Sequence, residues 1–252
     1  FHALDAGYFE AEGLTVTIAE GSGSLDAIPK VATGAFPVGF ADINSLMRFL
    51  DQNPDAPVTA IMMVYDKPPF SVVGRKSLGI DAPAALQGKV LGAPPPDGAW
   101  AQFPIFAAET GIDSDAITVE PVGFPTREPM LAEGNVAAIT GFSFSSTLHL
   151  KRLGVPAEDI SVRAAAKGWK DAIAAPETAI EALMERNPAA DAALETERLL
   201  LAVNDNVLTD YVKENGMGGV DEARFANALE QTKSVYEFQT APDSTTFFTG
   251  QY

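Results

Sequence analysis

Apolar positions recur along this chain with two periods, and the switches between them mark its elements. "FHALDAGYFEAEGL" at residues 1–14 has helical spacing, and "LTVTIAEG" (Leu14–Gly21) alternates with β-branched residues, which predicts a strand. "SGSLDAIPKVATG" is a Gly/Ser turn feeding a helix, with Ser22 or Ser24 as its cap and Pro29 early enough to be tolerated. "FPVGFAD" predicts a second strand and "INSLMRFLDQ" a helix. "APVTAIMMVYD" reads as a long strand apolar enough for burial on both faces, and "PFSVVGRKS" as another strand. The series then restarts with "KVLGA", the turn "PPPDG", one helix "AWAQFPIFAAETG" (Ala99–Gly111), the strand "AITVEPVGF" and the helix "FSSTLHLKRLG". Strands alternating with helices predict an α/β fold. From about Lys167 only helical spacing remains, in "KGWKDAIAAPETAIEALMERNP", "AADAALETERLLLAVNDNVLTDYVKENG" and "DEARFANALEQTKSVYEF".

One unit occurs twice. "DAIPKVATGAFPVGFAD" (Asp26–Asp42) has a near-copy in "REPMLAEGNVAAITGFS" (Arg127–Ser143), each a helix-like stretch, a Gly and an apolar run ending in a polar residue. The expected organisation is two lobes on one plan: residues 1–88 with the helical layer 167–252, and residues 89–166. Ligands of open α/β sheets sit beyond the carboxyl ends of the strands. There lie "GSGS" at 21–24, "FAD" at 40–42, "YDK" at 65–67, "PPPDGAW" at 94–100, "FPTRE" at 124–128 and "FSFSS" at 142–146. Asp42 and Ser143 would then reach into one inter-lobe cleft from opposite walls.

Composition narrows the chemistry. Acidic residues outnumber basic ones 34 to 17, a net charge of −17 that repels nucleic acid and anionic membranes. Cysteine is absent and only His2 and His149 supply imidazoles, so thiolate and His-rich metal sites are not expected. No run of about 18 apolar residues could span a bilayer, and no signal peptide is visible.

The cleft loops offer binding groups rather than a nucleophile. "GSGS" presents N–H groups and the Ser22 and Ser24 hydroxyls at a helix start, either as a ligand cradle or as a helix cap. Trp100 can stack on a planar ligand or pack in the core against Phe103 and Ala107. Arg127 can clamp an anionic group or pair on the surface with Glu128 or Glu133. Tyr65 and Phe142 add aromatic walls, and His149 is expected in solvent, away from an acid–base partner. No serine-hydrolase elbow or clustered metal ligands are present, so no catalytic residue, metal or cofactor is expected.

"ALDAGYFEAEGLTVTI", "GSGSLDAI", "VATGAFPVGFADI" and "LQGKVLGAPPP" resemble the substrate-binding proteins of ABC importers. The similarity is to the nitrate/taurine/alkanesulfonate group that includes thiamine-pyrimidine-precursor binders, and it covers nearly the whole chain. It implies a two-lobe periplasmic-binding fold of type II closing on a small, pyrimidine-like molecule, with Ser22, Asp42, Trp100 and Ser143 lining the cleft. It also implies a monomer in the periplasm, or lipid-anchored outside the cell, that delivers its ligand to a membrane permease. The rival reading is an enzyme: pyrimidine-precursor synthases resemble this family, but they carry a cysteine-rich motif. A ligand sensor or adaptor is the other alternative.

Overall fold

The computed structural model describes residues 2–164, 191–240 and 247. Its centre is a five-stranded sheet of β1 (Phe70–Arg75), β2 (Val90–Ala93), β3 (Thr118–Pro121), β4 (Ala138–Phe142) and β5 (Ile160–Ala164), in the order β3-β2-β4-β1-β5. β2 runs parallel to β3 and β4, whereas β1 lies antiparallel to β4 and β5, with Val72 opposite Thr140. The parallel trio therefore ends on one edge, and the loops after Ala93, Pro121 and Phe142 leave from that side.

Strand alternation builds a core on each face of the sheet. Val72, Leu91 and Ala138 pack with Leu86, Phe103, Ala107, Ile112 and Ile117 on one side. Val73 and Ile139 pack with Leu131, Val136 and Leu150 on the other. Helices α5 (Gly98–Ala101) and α6 (Phe103–Thr110) cover the first face, and α7 (Phe124–Glu133) and α8 (Ser143–Arg152) the second. β1 belongs to this sheet although it precedes the boundary expected at residue 88. β5 was not expected at all.

A second body forms before the sheet. α1 (His2–Asp5) and α2 (Tyr8–Ala11) are separated at Gly7, whose φ of 71° ends the single helix expected there. α3 (Ser24–Ala32) and α4 (Ile43–Gln52) follow as predicted. Ile28, Leu46, Met47 and Leu50 pack with Phe225 and Leu229 of a C-terminal helix (Glu222–Lys233) and with Phe247. A different C-terminal helix, Ala192–Ala202, lies against α8 and runs into a π-helical turn at Val203–Val207. The helix expected in "KGWKDAIAAPETAIEALMERNP" falls outside the described residues.

The three strands expected before residue 66 do not form. Met63 makes one isolated bridge to Gly218, and among the described residues no backbone hydrogen bond involves 15–22 or 37–41. The same runs leave large side chains exposed, among them Leu14, Val38, Phe40 and Met62. β-branched alternation suits a pleated surface, but a strand exists only where a neighbour completes its ladder. The other copy of the repeated unit has such neighbours and becomes α7 and β4.

Asp51, at the end of α4, ties the C-terminal segment to this body. Its carboxylate accepts from Tyr236 Oη (2.9 Å), the Gln239 N–H (3.0 Å), the Thr240 N–H (3.0 Å) and Thr240 Oγ1 (2.9 Å). Burial pushes the carboxyl up, and these donors outweigh it and hold the group below the usual range. Asp51→Ala strands several donors and should cost roughly 2–4 kcal/mol in urea unfolding at pH 7. With the native pKa lowered, that contribution is complete above the unfolded value and fades as pH falls through the native one. Wild type and variant should therefore converge in acid; a constant gap from pH 7 to pH 2.5 would contradict this account.

Candidate functional site

The two bodies meet through residues that lack a β-carbon. Gly23, at φ 107°, would drive a Cβ into the Pro96 carbonyl. At Gly98 a Cβ would stand 3.0 Å from Ser24 Oγ, 3.2 Å from the Phe70 ring and 3.3 Å from Asp42 Cβ. The loops 21–24 and 40–42 thus press directly on the turn after β2. Of the expected cleft loops, 21–24 and 40–42 meet 94–100 here, and the loops after β2, β3 and β4 leave a common edge of the sheet.

Asp42 sits at this junction as the N-cap of α4. Its Oδ2 accepts from the Ser45 N–H (2.8 Å), Ser45 Oγ (2.9 Å) and Gln102 Nε2 (2.8 Å), while its own N–H donates to Ser24 Oγ (3.0 Å). Gln102 Oε1 in turn accepts from Asn44 Nδ2 (2.9 Å), so one side chain between α5 and α6 clasps both flanks of the α4 start. Burial pushes the Asp42 carboxyl above its ordinary value against the pull of these donors. Ser24 does not cap its helix; Gly23 holds that position, and the Ser24 hydroxyl serves the Asp42 backbone. Ser22 is exposed.

An aromatic tier runs across the junction. The Tyr65 ring meets Phe40 edge-on at 5.6 Å, Phe142 edge-on at 6.2 Å and Phe144 at 6.5 Å. Phe70 extends the tier at 5.6 Å from Phe142. Phe40 comes from the N-terminal body, Tyr65 from the crossing segment and Phe142 from the end of β4. Phe40 is 61% exposed, so its face is open to a further ring. Phe142 and Phe144 do not share a strand, because β4 ends at Phe142 and Ser143 opens α8. The Ser143 N–H donates to the Pro69 carbonyl (2.9 Å). Trp100 stacks on Phe103 at 5.4 Å and 22°, packed against the core of the sheet.

Behind the tier lies a buried ionic cluster. Arg127 donates from Nε (2.9 Å) and Nη2 (2.6 Å) to Glu128 Oε1, which also accepts from Ser146 Oγ (2.7 Å). The pairing of Arg127 with Glu128 was one reading of the sequence, but it lies inside the molecule and not on its surface: the two are 9% and 2% exposed. Burial pushes Glu128 up, and the Arg127 charge with the Arg127 and Ser146 hydrogen bonds brings it below the usual range. His149 has an acidic neighbour after all, with Nδ1 3.6 Å from Glu128 Oε2. Asp97 Oδ2 stands 3.6 Å from Arg127 Nη1, and burial holds the Asp97 carboxyl above its ordinary value despite that charge.

The family profile for NMT1/THI5-like proteins matches residues 1–163. The chain belongs to the NMT1/THI5-like family. This family member is 26% identical over 189 residues to a riboflavin-binding protein, RibY, of Chloroflexus aurantiacus, an alignment covering 74% of the chain and 52% of the relative. It thus spans about half the length of that curated relative. In solved structures it is similar to a Bordetella bronchiseptica RB50 protein, with a TM-score of 0.62, 18% identity and coverage of 98% of this chain and 88% of the other. It is also similar to the alkanesulfonate-binding protein SsuA of Xanthomonas axonopodis pv. citri, with a TM-score of 0.58, 14% identity and coverage of 94% and 90%. The fold of this NMT1/THI5-like chain is accordingly the two-lobe periplasmic-binding fold of type II.

Sequence reasoning passed over Gln102, which had no signal within a helical stretch, and Glu128, weighed only as a surface partner. It noted Asp97 only as a helix cap. The raised Asp97 pKa carries a stability consequence. A native carboxyl above its unfolded value means that the charged form is penalised, so the cost is present at neutral pH and disappears as pH falls below the native pKa. Asp97→Asn should therefore melt about 2–4 °C higher than wild type at pH 7. The advantage should shrink toward pH 4. A variant that melts lower at pH 7 would show that the Arg127 pairing outweighs the burial.

Proposed function

We propose that this protein is the solute-binding component of an ABC-type importer, holding a planar nitrogen heteroaromatic between its lobes without turning it over. The aromatic tier of Phe40, Tyr65 and Phe142 carries the reading, because it draws rings from both lobes and the crossing between them. Flat walls with few polar groups suit a small planar molecule better than a sugar or peptide. The riboflavin-binding relative supports the same class, since the flavin ring system contains a pyrimidine ring. The site residues of this reading are Ser22, Ser24, Asp42, Tyr65, Arg127, Phe142 and Ser143, with Trp100 bracing the wall through Phe103. We place the lobe boundary at the crossing before Phe70, where the sheet begins.

Charge separates this reading from a sulfonate carrier. Asp97 and Glu128 flank the Arg127 guanidinium, two of its nitrogens already serve Glu128, and Asp42 adds a third carboxyl at the junction. A sulfonate would meet carboxylates and little free positive charge, whereas a neutral or cationic ring with N–H donors would be welcome. The synthase alternative lacks its cysteines, because the sequence contains none. No helix among the described residues is long and apolar enough to cross a membrane. Delivery to a permease, action as a monomer and a periplasmic or lipid-anchored location belong to the same proposal.

Calorimetry should show one ligand per chain from a panel of riboflavin, lumazine and thiamine, and none from taurine or ethanesulfonate. A ligand at a hundred times its Kd should stabilise the fold by about 2.7 kcal/mol. Tyr65→Ala should weaken binding roughly twofold to tenfold through lost ring contact. Mass analysis after long incubation should return the compound unchanged. Tight sulfonate binding with no response to any ring compound would sink the proposal.

A further inference from the structure

Asp97 is 6% exposed, and its Oδ2 accepts no hydrogen bond among the described residues. The nearest cation, Arg127 Nη1, lies at 3.6 Å, beyond hydrogen-bond length. Arg127 directs Nε and Nη2 to Glu128, and Nη1 donates to no protein acceptor described. Asp97 Oδ2 is thus a buried acceptor left without a hydrogen bond, with a charged donor beside it. Such orphans are uncommon in folded proteins.

Their place in the fold is informative. Pro96, just before Asp97, touches Gly23, and Gly98, just after it, touches Ser24, Phe70 and Asp42. Asp97 is therefore held where the lobes meet. Arg127 reaches the same place from α7, with its guanidinium 5.8 Å from the Phe124 ring. A Cβ on Gly141 would stand 3.2 Å from Arg127 Cζ, which sets the guanidinium one residue from Phe142 of the aromatic tier.

We propose that Asp97 and Arg127 are the specificity edge of the cleft, Asp97 Oδ2 accepting from a ring N–H and Arg127 Nη1 donating to the carbonyl beside it. The inference rests on the reading of the cleft as a heteroaromatic site and narrows its ligand to rings with a lactam or imide edge. Pyrimidinones, pteridinones and flavins carry such an edge. A sulfonate lacks the donor and a simple amine lacks the acceptor, so neither satisfies both groups. Glu128 and Ser146 then have a role at one remove: Glu128 takes two arms of Arg127, Ser146 donates to Glu128 and fixes it, and the third arm is left in place.

The test compares riboflavin with 3-methylriboflavin, and lumazine with 1,3-dimethyllumazine, on the wild-type chain and on Asp97→Ala and Asp97→Asn. Methylation removes the donor and keeps the ring. Wild type should prefer each parent over its methyl derivative by roughly tenfold to a hundredfold, the range for a hydrogen bond to a charged group. Asp97→Ala should bring that preference to within about twofold, and Asp97→Asn should leave an intermediate value. A thermal melt checks each variant; if the alanine form does not fold, the asparagine form and the wild-type comparison carry the result. Equal wild-type affinity for parent and methylated compounds, or an unchanged preference in Asp97→Ala, overturns the inference while the heteroaromatic reading stands. Failure of both parents to bind overturns the inference, and the heteroaromatic reading falls with it only if thiamine fails to bind as well.

Discussion

The approach of Gly98 to Ser24, Phe70 and Asp42 is the constraint on which the rest depends. A Cβ at Gly98 would crowd all three neighbours, and one at Gly23 would collide with the Pro96 backbone and force the bodies to shift. With no Cβ at either point, Asp42 comes close enough for Gln102 to bond it, and Gln102 also takes Asn44. The same closeness brings Phe40 onto Tyr65 and leaves Asp97 dry. Aromatic contact, carboxylate burial and the clasp on α4 are three results of one short distance.

That closeness places negative charge where folding alone would not. Asp42 and Asp97 are both held above their ordinary pKa by burial, which at Asp97 outweighs the Arg127 charge and the Ala99 and Trp100 N–H groups. Asp51 and Asp159 show the contrasting arrangement. Asp159 accepts from Arg75 Nε (2.8 Å), the Ser77 N–H (2.7 Å) and Ser77 Oγ (2.7 Å); burial pushes it up, and these donors bring it down to about 2. Donors outweigh burial at Asp51 and Asp159, whereas at the junction burial wins, at Asp42 against three donated hydrogen bonds and at Asp97 against the Arg127 charge.

Legibility in the sequence followed the range of the forces involved. α4 could be read because Asp42 caps it within the same few residues, and α8 because its spacing is local. The strands of the sheet were legible where apolar runs happened to have ladder partners. "LTVTI" and "FPVGF" have the same pattern but no partner among the described residues, and the pattern cannot report a neighbour hundreds of ångströms of contour away. The single helix expected over Ala99–Gly111 breaks at Gln102 because Pro104 can only stand in the first turn of a helix. Of the loops expected at strand ends, those after β2, β3 and β4 do follow strands, whereas 21–24, 40–42 and 65–67 follow runs that form none; Asp42 was readable as the cap of α4 from its place before a helix. The partner of Arg127 was visible as its own neighbour, Glu128, but burial of the pair depends on Ser146 and Gly141 packing over it from β4 and α8.

The crossing between the lobes has a mechanical character of its own. Lys67 exchanges bonds with Asn206 of the π-helical turn, its N–H to the Asn206 carbonyl (3.2 Å) and its carbonyl from Asn206 Nδ2 (2.9 Å). Arg224 holds Asp66 through both its carboxylate and its backbone carbonyl. Pro68 and Pro69 follow, each with φ fixed by its ring, and Phe70 then enters the sheet. Few torsions in this stretch remain free to turn. A strap so pinned behaves as a stiff flexure, not a loose tether: it restricts the lobes to a narrow arc, and less orientational entropy is lost when a ligand fixes them.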